Sequence, residues 1–333
     1  MINEGKNKIV ELKKLKKLKR PIVMYSITEE CQLRCKHCYN ESGESVKNCD
    51  PSTEELFRVT ENLAKVAGAI NFTGGEPFLR KELPDLLELS AEYGVDNIVT
   101  SNGLRLMETD AHQLLERIEP ILYMFKVGVM RATPKTNDYI RGKGQFETAM
   151  KALDLMANYD FVSCMKISLD KHNKHELEDF VKLAIEHRAD EIVFGQLVEI
   201  GRASKFLSDL VLSVDELHRA NDDIYQLREK YKGVVKLARH CTISGLCQDE
   251  GHFYTVNSRG GMSPCLMRED LAIGDVAKMD SQNILYLMES IDKSRKVVKT
   301  HNSIKDDLTD DCCKHDGELH KTRGKNLYSE VHL

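Results

Sequence analysis

The sequence predicts an α/β protein built on a parallel sheet, with a small cysteine-rich unit behind it. Two observations carry this. Short β-branched and apolar runs alternate with amphipathic helical stretches from Ile22 to Leu197, the pattern of right-handed βαβ units. After Lys236 the text changes to short β-like pieces, glycine pairs and cysteines. A doubly wound sheet and a partial barrel both fit the alternation. Both put function on the loops at the carboxyl ends of the strands.

The elements follow in chain order. Leu12, Leu15 and Leu18 recur every third residue among Lys13, Lys14, Lys16, Lys17, Lys19 and Arg20, which reads as an amphipathic helix. Its plain reading is a solvated helix laid on the body; an arm for an acidic peptide and a membrane-surface helix are the sharper ones. Ile22 to Ile27 is the first strand. Asp50-Pro51 is expected to cap and open the next helix, Asp accepting from free amides and Pro fitting the first helical position. Further strands are expected at 68–73, 97–101, 122–130, 162–168 and 191–197. Helices are expected from Leu83 onward and at 147–157, 176–186 and 214–230. The alternation ends near Gly201-Arg202. The chain thus divides into a basic helix at 1–20, a strand–helix unit at 21–234 and a cysteine-rich unit at 235–333.

Composition narrows the class. Hydrophobic residues are 41% and charged residues 30%, the balance of a soluble globular chain rather than a disordered one. No run approaches the roughly 20 apolar residues of a membrane span, and the N-terminus carries no secretory signal pattern. A cytoplasmic location is expected. Lys and Arg number 48 against 53 Asp and Glu, a net charge of −5, so neither nucleic acid nor membrane is expected as a partner.

Ten cysteines in such a chain point to metal or redox chemistry rather than disulfides. Cys31-x3-Cys35-x2-Cys38 directly follows the first strand. Thiolates at this spacing can converge from one loop on a cube of iron and sulfide. Three ligands for four irons leave one iron open to bind a small molecule. A zinc site, with His37 as a fourth ligand, is the alternative. Thr73-Gly74-Gly75-Glu76-Pro77 ends the second strand. Its glycines let a backbone approach a ligand closely, and Glu76 offers an acceptor for an ammonium group. Gln196 and Glu199 end the sixth strand at the same mouth, Glu199 as a substrate ligand or base. His172 and His175 follow the fifth strand, where solvent-facing histidine is the ordinary case. Cys164 reads as a small core residue and Cys49 as incidental.

The cysteine motif, paired with Gly74-Gly75-Glu76-Pro77, resembles the radical S-adenosylmethionine enzymes, over about residues 24–315. The resemblance implies a partial (β/α)6 barrel. It also implies a [4Fe–4S] cluster on Cys31, Cys35 and Cys38 whose open iron binds the amino and carboxylate groups of S-adenosylmethionine. Reductive cleavage would give a 5′-deoxyadenosyl radical that abstracts a substrate hydrogen. Gly74, Gly75, Glu76 and Pro77 would hold the methionine ammonium. Ser101 and Asn102, in Thr100-Ser101-Asn102-Gly103, resemble the polar end of strand three near the cofactor. Arg141, in Asp138-Tyr139-Ile140-Arg141-Gly142, resembles the arginine that reaches the methionine carboxylate, and Gln196 lies at the cofactor mouth. Gly201-Arg202-Ala203 resembles the strand-six exit of the peptide-modifying branch. One departure stands out: the family's Ser-x-Asp-Gly run is replaced by Gly128-Val129-Met130-Arg131, so Arg131 or Ser101 is expected to substitute for the missing polar contact.

The C-terminal cysteines resemble a twitch or shortened SPASM domain with one auxiliary [4Fe–4S] cluster. Its implied ligands are Cys241, Cys247, Cys265 and Cys313, on and around a hairpin at 251–265 turned by Gly260-Gly261. Zinc is the alternative there too. Cys312 is then spare and could return a hydrogen atom to a substrate radical. The resemblance implies oxidation, cross-linking or epimerisation of a ribosomal peptide, with an electron donor such as flavodoxin or ferredoxin. A sugar, cyclitol or amino-acid derivative is the alternative substrate. A non-catalytic iron–sulfur or zinc scaffold, and an RNA modifier using the basic N-terminal helix, are rival classes.

Overall fold

The computed structural model describes residues 20–43, 50–239, 253–264 and 272–302. The expected N-terminal helix, Cys49, and the proposed C-terminal ligands and donor Cys241, Cys247, Cys265, Cys312 and Cys313 lie outside these residues.

The six expected strands are present: β1 (Ile22–Ser26), β2 (Ala69–Thr73), β3 (Asp96–Ser101), β4 (Leu122–Val129), β5 (Val162–Leu169) and β6 (Glu191–Gln196). They pair in sequence order, every pair parallel. A seventh, β7 (Lys236–Arg239), extends the sheet beside β6. At the other edge β8 (Phe253–Val256) lies parallel to β1, and β9 (Met262–Ser263) returns antiparallel to β8. The sheet therefore runs β7-β6-β5-β4-β3-β2-β1-β8-β9 and stays open at its ends. This is the partial barrel, and residues on both sides of position 235 contribute strands to it. The β8–β9 turn is the expected one: Asn257 N–H bonds Gly261 O at 3.0 Å, and Gly260 takes φ +82°.

Helices cover the outer face: α1 (Thr53–Ala64), α2 (Leu83–Glu92), α3 (Ala111–Ile118), α4 (Pro134–Arg141), α5 (Gln145–Met156), α6 (Leu177–Glu186), α7 (Arg202–Phe206), α8 (Val214–Lys230) and α9 (Ser281–Asn302). The main core lies between them and the sheet, with Leu56, Leu63, Phe72, Phe125, Phe180 and Phe194 fully buried. One expectation fails at α1. Its cap is Ser52, not Asp50-Pro51: the Ser52 hydroxyl accepts from Glu55 N–H at 3.2 Å, and Glu55 accepts from Ser52 N–H at 2.8 Å. That reciprocal pair satisfies two end donors at once. Asp50 is taken by the strand-one loop instead, where it accepts from Glu29 N–H at 2.7 Å and from the Thr28 hydroxyl.

The inner face of the sheet is layered. Ile22, Ala69, Ile98, Met124, Cys164, Val193 and Ala238, one from each of β1 to β7, pack together and close the lower end. Cys164 is thus the small core residue expected. Two residues further along each strand the same face is reached again. There stand Met24, Asn71, Thr100, Lys126, Lys166 and Gly195, so the interior turns polar towards the carboxyl ends. The C-terminal segment is fastened to the outside: Asn62 Nδ2 donates to Val276 O at 2.9 Å and Met279 O at 2.8 Å.

Candidate active site

A cavity of about 270 Å³ opens at the carboxyl ends of β1 to β6. Cys31, Cys35 and Cys38 share its wall with Gly74, Gly75, Ser101, Asn102, Arg141 and Gln196, most of the sequence-derived site.

The cysteine loop is held from three directions. The glycine turn presses on it from β2: Gly75 N–H bonds Thr28 O and Glu76 N–H bonds Glu30 O, both at 2.7 Å. A Cβ on Gly75 would lie 1.9 Å from Glu30 O, and one on Gly74, at φ +132°, 2.3 Å from Thr28 O. The glycines serve this close approach, and those two amides are occupied by the loop rather than offered to a ligand. From the exit of β6, Gly201 (φ +58°) leaves space a Cβ would fill 2.2 Å from Tyr39 O. Arg202 then donates through its backbone N–H to Cys38 O, through Nε to Cys35 O and through Nη1 to Ser42 O, each at 2.9 Å. From the end of α4, Ile140 O accepts from Lys36 N–H at 2.9 Å, and Lys36 Nζ sits 3.2 Å over the Tyr139 ring.

Glu76 does not line the cavity. It is buried and accepts from Ser101 Oγ and Asn102 N–H at 2.8 Å and from Phe78 N–H at 3.3 Å, tying the end of β2 to that of β3. Burial raises its pKa to about 7, against the lowering pull of those donors. Pro77 is buried and opens the 3-10 turn Pro77–Leu79, also off the cavity wall. Glu199 is exposed and outside the lining, as are His172 and His175. The catalytic expectation for Glu199 therefore has no support in the geometry: its neighbour Val198 lines the cavity and Glu199 does not. Arg131 is not the substitute at the altered strand-four end either. It is buried against Asp170 at 2.7 Å and bonds Met130 O. Ser101 is engaged by Glu76.

Gly128 explains the departure in the motif. A Cβ there would lie 2.4 Å from Arg141 Nη1. The missing side chain is the space the Arg141 guanidinium occupies as it reaches over the cavity.

Several lining groups lack protein partners. His37 Nδ1, Asn102 Nδ2 and Arg141 Nε are buried with none, although buried polar atoms are normally bonded. Burial, with Arg141, Lys166, Arg131 and Arg202 adding to it, lowers the His37 pKa to about 3 and keeps the ring neutral. Burial pushes the Cys31 thiol up to about 11 and raises Cys35, which Arg141 partly offsets. Loading a metal group on these thiols must therefore expel protons. Among the described residues no three His, Cys, Asp or Glu side chains converge as a single ion requires. Three thiols around one cavity, with unpartnered donors beside them, fit a cluster and a polar ligand.

Sequence reasoning missed Lys126 and Lys166, and did not see that Gly128 makes room for Arg141 or that Arg202 clamps the cysteine loop. A signal for the lysines was present: each interrupts an otherwise apolar strand, in YMFKVGV and SCMKISL.

Residues 25–184 match the family model described as the Radical SAM superfamily, whose cofactors are a [4Fe–4S] cluster and S-adenosylmethionine. The chain is 31% identical over 232 residues to Fe-coproporphyrin III synthase of Methanosarcina barkeri, covering 67% of this chain and 57% of that protein. It is 25% identical over 213 residues to mycofactocin maturase MftC of Mycolicibacterium smegmatis, 62% and 52% of the two lengths. The chain thus spans about half the length of these curated relatives. The fold matches Streptococcus suis SuiB bound to its precursor peptide SuiA, with TM-score 0.64, 14% identity and coverage of 85% and 69%. SuiB has also been solved with S-adenosylmethionine. No helix among the described residues is long and apolar enough to cross a membrane. With that match spanning the cysteine loop, the glycine turn and Arg141, residues 25–184 of this chain are a radical SAM domain.

Proposed function

We propose that this protein reductively cleaves S-adenosylmethionine and uses the resulting radical to take a hydrogen from a peptide substrate. The observation that carries the reading is the convergence of Cys31, Cys35 and Cys38 with Arg141 and the unpartnered Asn102 amide on one cavity. When bound, the cluster supplies the electron and S-adenosylmethionine the carbon radical. Cys31, Cys35 and Cys38 would hold three of its irons. Arg141, in the space left by Gly128, receives the methionine carboxylate. Asn102 and Gln196 offer neutral hydrogen bonds on the same wall. Glu76 orients rather than binds, fixing Ser101 and Asn102 at the end of β3.

The likeness to MftC and to SuiB with its precursor peptide supports a peptide. A carboxylate-bearing small molecule is the second reading, favoured by the 31% identity to Fe-coproporphyrin III synthase. Cys241, Cys247, Cys265 and Cys313 would hold an auxiliary [4Fe–4S] cluster, which would supply an electron acceptor for substrate oxidation. Cys312 would instead return a hydrogen in an epimerisation. A flavodoxin or ferredoxin would supply the reducing electron. The test is formation of 5′-deoxyadenosine by the anaerobically reconstituted protein with dithionite. Wild type is expected to form it and Cys35→Ala to form none; cleavage retained by the variant removes the cluster from the first loop.

A further inference from the structure

Among the described residues, the cavity wall contains Arg141, Lys166 and Arg202 but no Asp or Glu. Two of these cations have work already. Arg202 is occupied by the carbonyls of the cysteine loop. Arg141 stands beside the thiols, shifting the pKa of Cys35. Lys166 is left over. It lies opposite Gly128 in the β4–β5 register, while Lys126 lies opposite Cys164, so the two lysines are diagonal neighbours on one face. Lys126 is only 7% exposed. Neither makes a hydrogen bond or ion pair among the described residues. Glu191, at the opposite, amino end of β6, is paired with Lys236 at 3.2 Å.

Two adjacent cations in a closed interior repel each other and lose hydration, which is costly without an anion. Burial, and then Lys126, lowers the pKa of Lys166 to about 8. A side chain kept for packing alone would be apolar here, as in the layer below. We propose that Lys166, backed by Lys126, is the seat of a carboxylate group of the substrate, on the β4–β5 side of the cavity. This rests on the reading of the cavity as the reaction chamber and adds the chemical class of what it receives. A peptide would present its C-terminal or an acidic side-chain carboxylate; an organic acid would present its own.

The test is competitive acetylation of the reconstituted full chain under anaerobic conditions, read at each lysine by mass spectrometry. Exposed Lys151 is the internal reference. The probe is sodium propionate, compared with propionamide at ionic strength matched by sodium chloride. Propionate is expected to slow acetylation of Lys166 relative to Lys151 by about fivefold, the mass-action factor at about four times its dissociation constant. Propionamide is expected to have no effect. Equal rates with the two probes overturn the proposal. A third arm adds S-adenosylmethionine alone: if it protects Lys166 fully and propionate adds nothing, the lysine serves the cofactor's carboxylate and the proposal fails. The readout does not require turnover. Loss of protection with intact 5′-deoxyadenosine formation removes only the subsite. Protection without 5′-deoxyadenosine formation removes only the reaction.

Discussion

At position 128 one methyl group is enough to move a guanidinium, because a Cβ there would lie 2.4 Å from Arg141 Nη1. The obstructed atom ends a flexible side chain, so Gly128→Ala should fold normally. It should weaken S-adenosylmethionine binding by about tenfold, or about 1.4 kcal/mol, read as Kd by equilibrium dialysis of the reconstituted protein. An unchanged Kd would mean that Arg141 does not serve the cofactor. Glu76 gives a second prediction at this scale. Its folded pKa, about 7, lies above the ordinary value of 4.5. Between those values the folded protein keeps a proton that the unfolded chain has released. Its stabilising contribution is therefore fully present below about 4.5 and is lost as pH rises through about 7. The slope is at most about 1.4 kcal/mol per pH unit. Urea unfolding at about pH 5 and about pH 7 should show the fall in wild type and a flatter profile in Glu76→Gln.

At the scale of elements, the turn from β6 into α7 acts on a loop more than 160 residues earlier. Arg202 reaches two carbonyls of the cysteine loop with one planar fork, which a lysine cannot reproduce. Arg202→Lys and Arg202→Met should both reconstitute with less iron and sulfide than wild type while their far-UV circular dichroism stays native. Iron content equal to wild type would show that the clamp is dispensable. This turn was legible only in part. Gly201-Arg202-Ala203 stood out as a motif, but its target, carbonyl oxygens on another loop, has no signature in the local text. Helix starts show the same boundary between local and non-local information. Ser213 and Glu216 form a capping box at α8, where a helix was expected from position 214. At α1 the cap fell on Ser52, because Asp50 was drawn away by Thr28 and Glu29, more than twenty residues upstream.

For the whole molecule, the proposed cofactor content is two clusters. Iron analysis after anaerobic reconstitution should give about eight irons per chain, falling to about four in the Cys31/Cys35/Cys38 triple alanine variant. About four falling to none would mean that the C-terminal cysteines carry no iron–sulfur cluster. The sheet also brings a C-terminal strand to the cavity. β8 extends it beside β1, placing Phe253 on the cavity wall, and Ser258 Oγ donates to Glu29 on the strand-one exit at 2.7 Å. That hydrogen bond and the β1–β8 pairing connect the C-terminal segment to the first strand and its exit.

The sequence by itself determined the six strands, their alternation with helices, the cysteine loop, the glycine turn and the polar residues Ser101, Asn102 and Gln196 at the ends of β3 and β6. These are local patterns: periodicity of 2 or 3.6 residues, ligand spacing and turn chemistry all act within about ten residues. Only the tertiary structure decided that Glu76 is a buried tie, that Glu199 is exposed off the cavity wall, and that Gly128 makes room for Arg141. It alone placed Lys126 and Lys166 together and β8 against β1. Each of these depends on sheet register and on contacts between distant segments, which set the burial and charge environment of a side chain without leaving a mark in its neighbouring residues.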